Sequence, residues 1–436
     1  MSILPSPADP ADSRGVPTAL PLVVRTVQIP ATIAGSLVDL LPARGPREVT
    51  SWVRRGDGLV GWGRAAAFTA AGTHRFADAS AWWAQVSEAA VVRDEVRLPG
   101  TGVVAFGSFS YAASSPSGAT LVVPEVLVGR RGSTAWLTTV AAGAQLPPTP
   151  ALAVQSPPEA PEDVRFADGS LSAARWEGVV ARAVARIAAG ELDKVVLARD
   201  LAADAAGPVD PRWLLRRLAE RYETTWVFAV DGLVGATPEL LVRRERGLVT
   251  SRVLAGTIRR SGNDEHDLAL AASLARSSKD LEEHEYAVRS VADALAPHCS
   301  SMNVPDSPFV LHLANVMHLA TDVTGVLRDG TTSLGLAASL HPSAAVCGTP
   351  TASADSLIDE VEGMDRGRYA GPVGWLDATG DGEWGIALRC AAYDAGDDAR
   401  LRLFAGCGIV AGSDPEAEVA ESDAKLVPMR DALSTL

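Results

Sequence analysis

The segment 141–168, AAGAQLPPTPALAVQSPPEAPEDVRFAD, limits the fold more than any other stretch of the chain. Proline lacks the N–H that a helix interior or a central strand needs, so a run this rich in proline interrupts regular structure and reads as a connection between two halves. The chain then divides into residues 1–20, a tail rich in Pro, Ala, Ser and Asp without periodicity; 21–145, an N-terminal part of the fold; 146–168, the Pro-rich connection; and 169–436, a C-terminal region. The tail is expected to be disordered because it can bury too little apolar surface to order itself.

Charge and composition exclude several classes. With 47% hydrophobic and 21% charged residues, the 436-residue chain is suited to a large core rather than to disorder. Its 39 Lys and Arg against 53 Asp and Glu leave a net charge of −14, which argues against binding nucleic acid or anionic lipid. An anionic ligand would need a local cation. No charge-poor apolar run of about 18 residues exists, and the N-terminus has no basic start before an apolar stretch, so neither a membrane span nor a signal peptide is expected. Cys299, Cys347, Cys390 and Cys407 form no CxxC pair or His/Cys cluster, which fits a cytoplasmic protein without zinc or disulfides.

In the first half, short β-like runs at 102–109 and 120–123 alternate with Gly and Ser turns, and no cluster of titratable groups stands out. The second half is mixed. Trp176, Val179, Val180, Val184 and Ile187 give helical spacing over 172–189, with Gly190 placed to end the helix. Strands are expected at 194–198, 226–230, 384–391 and 401–410, and helices at 264–276, 279–295 and 415–433.

Two of these helices carry carboxylates. Asp280 and Glu283 must share a face, three positions apart. Asp414 as N-cap and Pro415 at the first helical position fix the phase of the last helix, placing Glu418, Glu421 and Lys425 on one face. Facing acidic helices suit a hard divalent cation, which prefers oxygen ligands. Acidic first turns also complement the helix dipole and commonly lie on solvated faces, so the residues alone leave both readings open. Gly406 and Gly408, inside a strand, mark either a close approach to the backbone or a bulge. Glu239 follows a turn between apolar strands, where burial would keep a carboxyl protonated as a general acid, though most glutamates are surface residues. Lys194 precedes the run Val195-Val196-Leu197-Ala198; an apolar cleft there would favour an amine acting as a base, whereas snorkelling to solvent is the commoner fate.

Nine motifs in order resemble the chorismate-utilising enzymes, which include isochorismate synthases, salicylate synthases, anthranilate synthase large subunits and aminodeoxychorismate synthases. They are DKVVLAR (193–199), GATPELL (235–241), LAGTIRR (254–260), KDLEEHEYAV (279–288), HLATDVTG (318–325), HPSAAVCGTP (341–350), YAGPVGW (369–375), LRCA (388–391) and GCGIVAGSDPEAEVAESDAK (406–425). The resemblance covers about 172–433 and implies one large α/β (α+β) fold, with antiparallel sheets face to face, helices outside and a central cleft. It implies Mg2+, with Glu283 and Glu421 as direct ligands and Asp280 and Glu418 supporting. It also implies that Tyr369, Arg389, Lys425 and the Gly406 and Gly408 backbone hold the enolpyruvyl carboxylate. Ala255, Gly256 and Thr257 would line the cleft, with His318 beside the ring.

The nucleophile separates the branches of this family. Water needs a base, and Lys194 stands where water-using members carry theirs; the ammonia-using branch generally lacks it. Ala255 stands where aminodeoxychorismate synthases carry a nucleophilic lysine. The resemblance therefore implies an isomerase that converts chorismate to isochorismate, with Lys194 as base, Glu239 as acid, no glutamine amidotransferase subunit, and menaquinone or siderophore biosynthesis as its context. A monomer is expected. Salicylate synthase is the nearest alternative, but Ala345 replaces the threonine typical there. A non-catalytic chorismate-binding protein is a further alternative.

Overall fold

The computed structural model describes residues 21–33, 35–145, 148–313 and 316–434, so the tail 1–20 lies outside the described residues. Short apolar runs separated by Gly turns assemble into two large sheets of 13 and 10 strands among the described residues. Among the described residues every pairing is antiparallel except that of Leu22–Ile29 with Val91–Asp94, which is parallel. The sheets pack on each other: Trp52 and Trp226 of the larger donate their indole N–H groups, at 2.8 and 3.0 Å, to Glu383 of the smaller. Helices Ala173–Ala188, Pro211–Arg221 and Pro415–Leu433 pack on the larger sheet, and Asp264–Leu274 and Ser278–Leu295 on the smaller. No described helix is long and apolar enough to cross a membrane. All four cysteines are free and buried.

Both halves of the chain build both sheets. Ser51–Val53 pair with Val227–Ala229 in the larger, and Val104–Ser108 with Val373–Asp377 in the smaller. The connection is shorter than its composition suggests: past Pro161 the backbone regains its donors, and Arg165–Asp168 forms a strand against Leu201–Asp204.

The expected strand over 384–391 is in fact two strands in different sheets. Gly382–Ile386 lies in the smaller sheet and pairs with Leu240–Glu245, whereas Cys390–Asp394 lies in the larger and pairs with Leu233–Thr237. A two-stranded ribbon thus passes from one sheet to the other, crossing at Pro238-Glu239 on one strand and Ala387-Leu388-Arg389 on its neighbour. Pro238 cannot donate to a ladder, and Arg389 adopts φ 48°, a left-handed conformation unusual for a residue with a side chain. The crossing opens the sheets where both strands turn.

Candidate active site

A cavity partly continuous with solvent lies at this crossing. Glu239 and Arg389, from the two strands of the ribbon, both line it. Alternation along Lys194–Asp204 turns Val196 and Ala198 toward the cavity, and Lys194 shares their face. Their antiparallel partners Gly408 and Gly406 line it too. A Cβ on Gly408 would overlap the Glu283 carboxylate, and one on Gly406 would fall 2.9 Å from the Tyr369 hydroxyl, so glycine lets those side chains reach the strand. Tyr369 is held flat on Phe404, with ring centroids 5.1 Å apart.

The opposite wall is a β-bulge. Gly256, at φ 74°, shifts the register between Ala255 and Thr257 against the strand carrying His318. His318 Nδ1 lies 3.3 Å from the Gly256 carbonyl, which can only accept, so Nδ1 carries the proton and Nε2 is left as acceptor toward Arg389, 3.4 Å away. Burial, reinforced by Arg389 and Lys425, holds His318 well below its usual range and keeps it neutral. Ala345 and Val346 complete a small apolar patch.

Glu239 is only 5% exposed, and burial pushes its carboxyl up to about 8 against the opposing pull of Lys194, Lys425 and Arg389. Lys194 has no exposed surface; its Nζ sits 3.3 Å from Glu283 Oε1 without hydrogen-bond geometry to any partner. It does not snorkel, and it lies behind the cavity lining rather than in it. Arg389 Nη1 is likewise buried without a partner. Unsatisfied buried donors are costly, and a guanidinium nitrogen left so in a cavity wall fits an anionic ligand.

Next to this cavity the two acidic helices meet. Ser277 and Asp414 cap them, their side chains accepting from the amides of Asp280 and Ala417. Burial raises Asp280, and the carboxylates of Glu283 and Glu421 raise it further; burial and then Glu421 raise Glu418. Such mutual crowding places the carboxylates of both helices in one region. Lysines offset it: Lys194 faces Glu283, Lys279 lies 3.0 Å from Glu418, and Lys425 lies 2.6 Å from Glu421 while donating to the Gly406 carbonyl at 2.9 Å. Hard carboxylate oxygens of this kind fit a divalent cation such as Mg2+. Cys407 Sγ lies within 4.8 Å of the Glu418 and Glu421 oxygens, but burial keeps the thiol protonated and a poor ligand.

Of the residues singled out in the sequence, Glu239, Ala255, Gly256, Thr257, Glu283, His318, Ala345, Tyr369, Arg389, Gly406, Gly408 and Lys425 line the cavity; Lys194, Asp280, Glu418 and Glu421 do not. Arg366 also lines it and was not foreseen. Its guanidinium pairs with buried Glu362 and donates to the carbonyls of Val346, at 2.8 Å, and Val196, at 2.7 Å, tying the apolar patch to the strand of Lys194.

Residues 49–434 match the family described as chorismate binding enzymes, and the chain belongs to that family. Among its relatives, isochorismate synthase DhbC of Bacillus subtilis is 42% identical over 270 residues, covering 59% of this chain and 67% of that protein. A MenF protein of Mycobacterium tuberculosis is 39% identical over 348 residues, 77% of this chain and 87% of its own. The structure of MenF, the menaquinone-specific isochorismate synthase of Escherichia coli, superimposes with a TM-score of 0.78 at 25% identity, covering 97% of each chain.

Proposed function

We propose that the protein is a Mg2+-dependent isochorismate synthase, interconverting chorismate and isochorismate for menaquinone or siderophore biosynthesis. The observation that carries the reading is a carboxyl kept protonated at neutral pH, Glu239, and a fully buried amine, Lys194, beside a cavity whose wall holds an unpartnered Arg389 nitrogen. The identity to isochorismate synthase DhbC supports the choice of product.

In this reading Arg389, Tyr369, Lys425 and the Gly406 and Gly408 backbone hold the enolpyruvyl carboxylate, while Ala255, Gly256, Thr257 and His318 shape the wall beside the ring. Glu283 and Glu421, supported by Asp280 and Glu418, hold the cation. Bound there, it would neutralise the ring carboxylate and fix the ring's orientation. Lys194, as the neutral amine, takes a proton from water as the water oxygen bonds to C2. Both ring double bonds shift, from C1=C2 and C5=C6 to C1=C6 and C4=C5, the C4–O bond breaks, and Glu239 gives its proton to the departing hydroxyl, which leaves as water. One water enters and one leaves, and return of the proton from Lys194 to Glu239 resets the site for the next turnover. Ala345 and Val346 bring no hydroxyl to the ring, consistent with stopping at isochorismate.

The test is proton NMR of purified protein with chorismate, with and without Mg2+ and ammonium. Isochorismate forming only with Mg2+, and lost in Lys194→Ala and Glu239→Gln, is the expected result. Salicylate and pyruvate would instead identify a salicylate synthase, ammonia incorporation an amidotransferase partner, and binding without turnover a non-catalytic protein.

A further inference from the structure

Each of three carboxylates in the proposed cation site has its own lysine, but the three lysines are not equivalent. Lys194 has no exposed surface, and Lys425 is tied both to Glu421 and to the Gly406 carbonyl. Lys194 has no solvent to move into, and Lys425 is only 14% exposed and held by two partners. Lys279 differs: its side chain is 37% exposed, it does not line the cavity, and its hydrogen-bond partner is Glu418, which is only 3% exposed on the neighbouring helix. Glu421 and Glu283 also lie close enough to act on its charge. Its ammonium therefore sits where three carboxylates crowd, on a stem that can swing into water.

We infer that Lys279 is an internal cation that competes with the divalent metal for the Glu418–Glu421 end of the site. The inference rests on the metal reading above. In the metal-free protein Lys279 bridges the two acidic helices and offsets their repulsion; it lowers the attraction the same carboxylates exert on an incoming cation. The site is thus stable when empty at the expense of affinity, so it fills only when the free cation is abundant.

Calorimetric titration of EDTA-treated protein with MgCl2 tests this, using wild type, Lys279→Met, Lys279→Gln, Lys279→Arg and Glu421→Gln. The two neutral variants should bind Mg2+ about tenfold more tightly, as expected for removing one nearby partly exposed charge, while Lys279→Arg stays near wild type. In EDTA the neutral variants should melt below wild type, and saturating Mg2+ should close that gap. If wild type binds Mg2+ and Glu421→Gln does not, yet both neutral variants bind equally or more weakly than wild type, Lys279 merely positions Glu418 and the inference fails while the metal reading stands. If wild type takes up no Mg2+, or Glu421→Gln binds as wild type does, the metal reading fails and the inference with it.

Discussion

Glu239 and Glu421 belong to the same site, one in the cavity wall and one on the helix beside it, and their surroundings treat the proton in opposite ways. Around Glu239 burial dominates, and the nearby cations only moderate it, so the carboxyl rises to about 8. At Glu421 burial also works to raise the carboxyl, but Lys425, Lys279 and Arg389 outweigh it and hold it below the usual range. The deciding difference is contact. Lys425 lies 2.6 Å from Glu421, whereas no lysine or arginine makes a described ion pair with Glu239. A close ammonium secures a charged carboxylate that can hold a metal; distant ones leave a buried carboxyl neutral and able to donate a proton.

The most severe way to break this contrast is Glu239→Gln, which keeps the size and removes the proton donor. Steady-state kinetics should show kcat reduced roughly 10²–10⁴-fold, the range for losing general acid catalysis, with KM little changed. A comparable kcat would remove Glu239 from the chemistry. At the other carboxylate, Glu421→Gln should weaken Mg2+ binding by roughly 10²-fold or more in calorimetry, while leaving Glu239 and its proton in place. Loss of both properties in either single variant would mean that the two glutamates are not separable in function.

The pH profile sharpens the same comparison. Glu239 must be protonated to act as the acid in forward turnover, so kcat should fall as pH rises through about 8. In Glu239→Gln the residual rate should lack that limb. A limb of unchanged position in the variant would assign it to another group.

The acidic helix was legible in the sequence because local chemistry fixes it: Asp414 caps, Pro415 begins the helix, and the spacing of Glu421 and Lys425 guarantees their contact. Much of the larger fold was legible through the ordered motifs. The crossing that creates the cavity was only half visible. Pro238 signals one side, but the run 384–391 has no Pro, its single Gly385 lies inside the strand before the crossing, and nothing local shows that Arg389 takes a left-handed backbone and that the strand changes sheets there. Burial of charge was least legible. Whether Lys194 snorkels, or Arg366 pairs with Glu362 beneath the cavity, depends on elements far apart in the chain.

The smallest expected effect concerns stability. In the folded protein Glu239 holds its proton up to about 8, whereas in the unfolded chain the ordinary value is 4.5. Between those values the native state binds a proton that the unfolded state has released, so the contribution of this residue is fullest below 4.5 and declines as pH rises toward 8. Glutamine has no proton to lose. The melting temperature of Glu239→Gln relative to wild type should therefore climb between about pH 5 and pH 8, by a few degrees, because other titrating groups are common to both proteins and cancel in the difference. The same comparison for Glu421→Gln should run the other way. Its carboxylate is held low, so wild type keeps the advantage at neutral pH and loses it in acid. Parallel slopes for the two variants would show that the site does not distinguish its two glutamates.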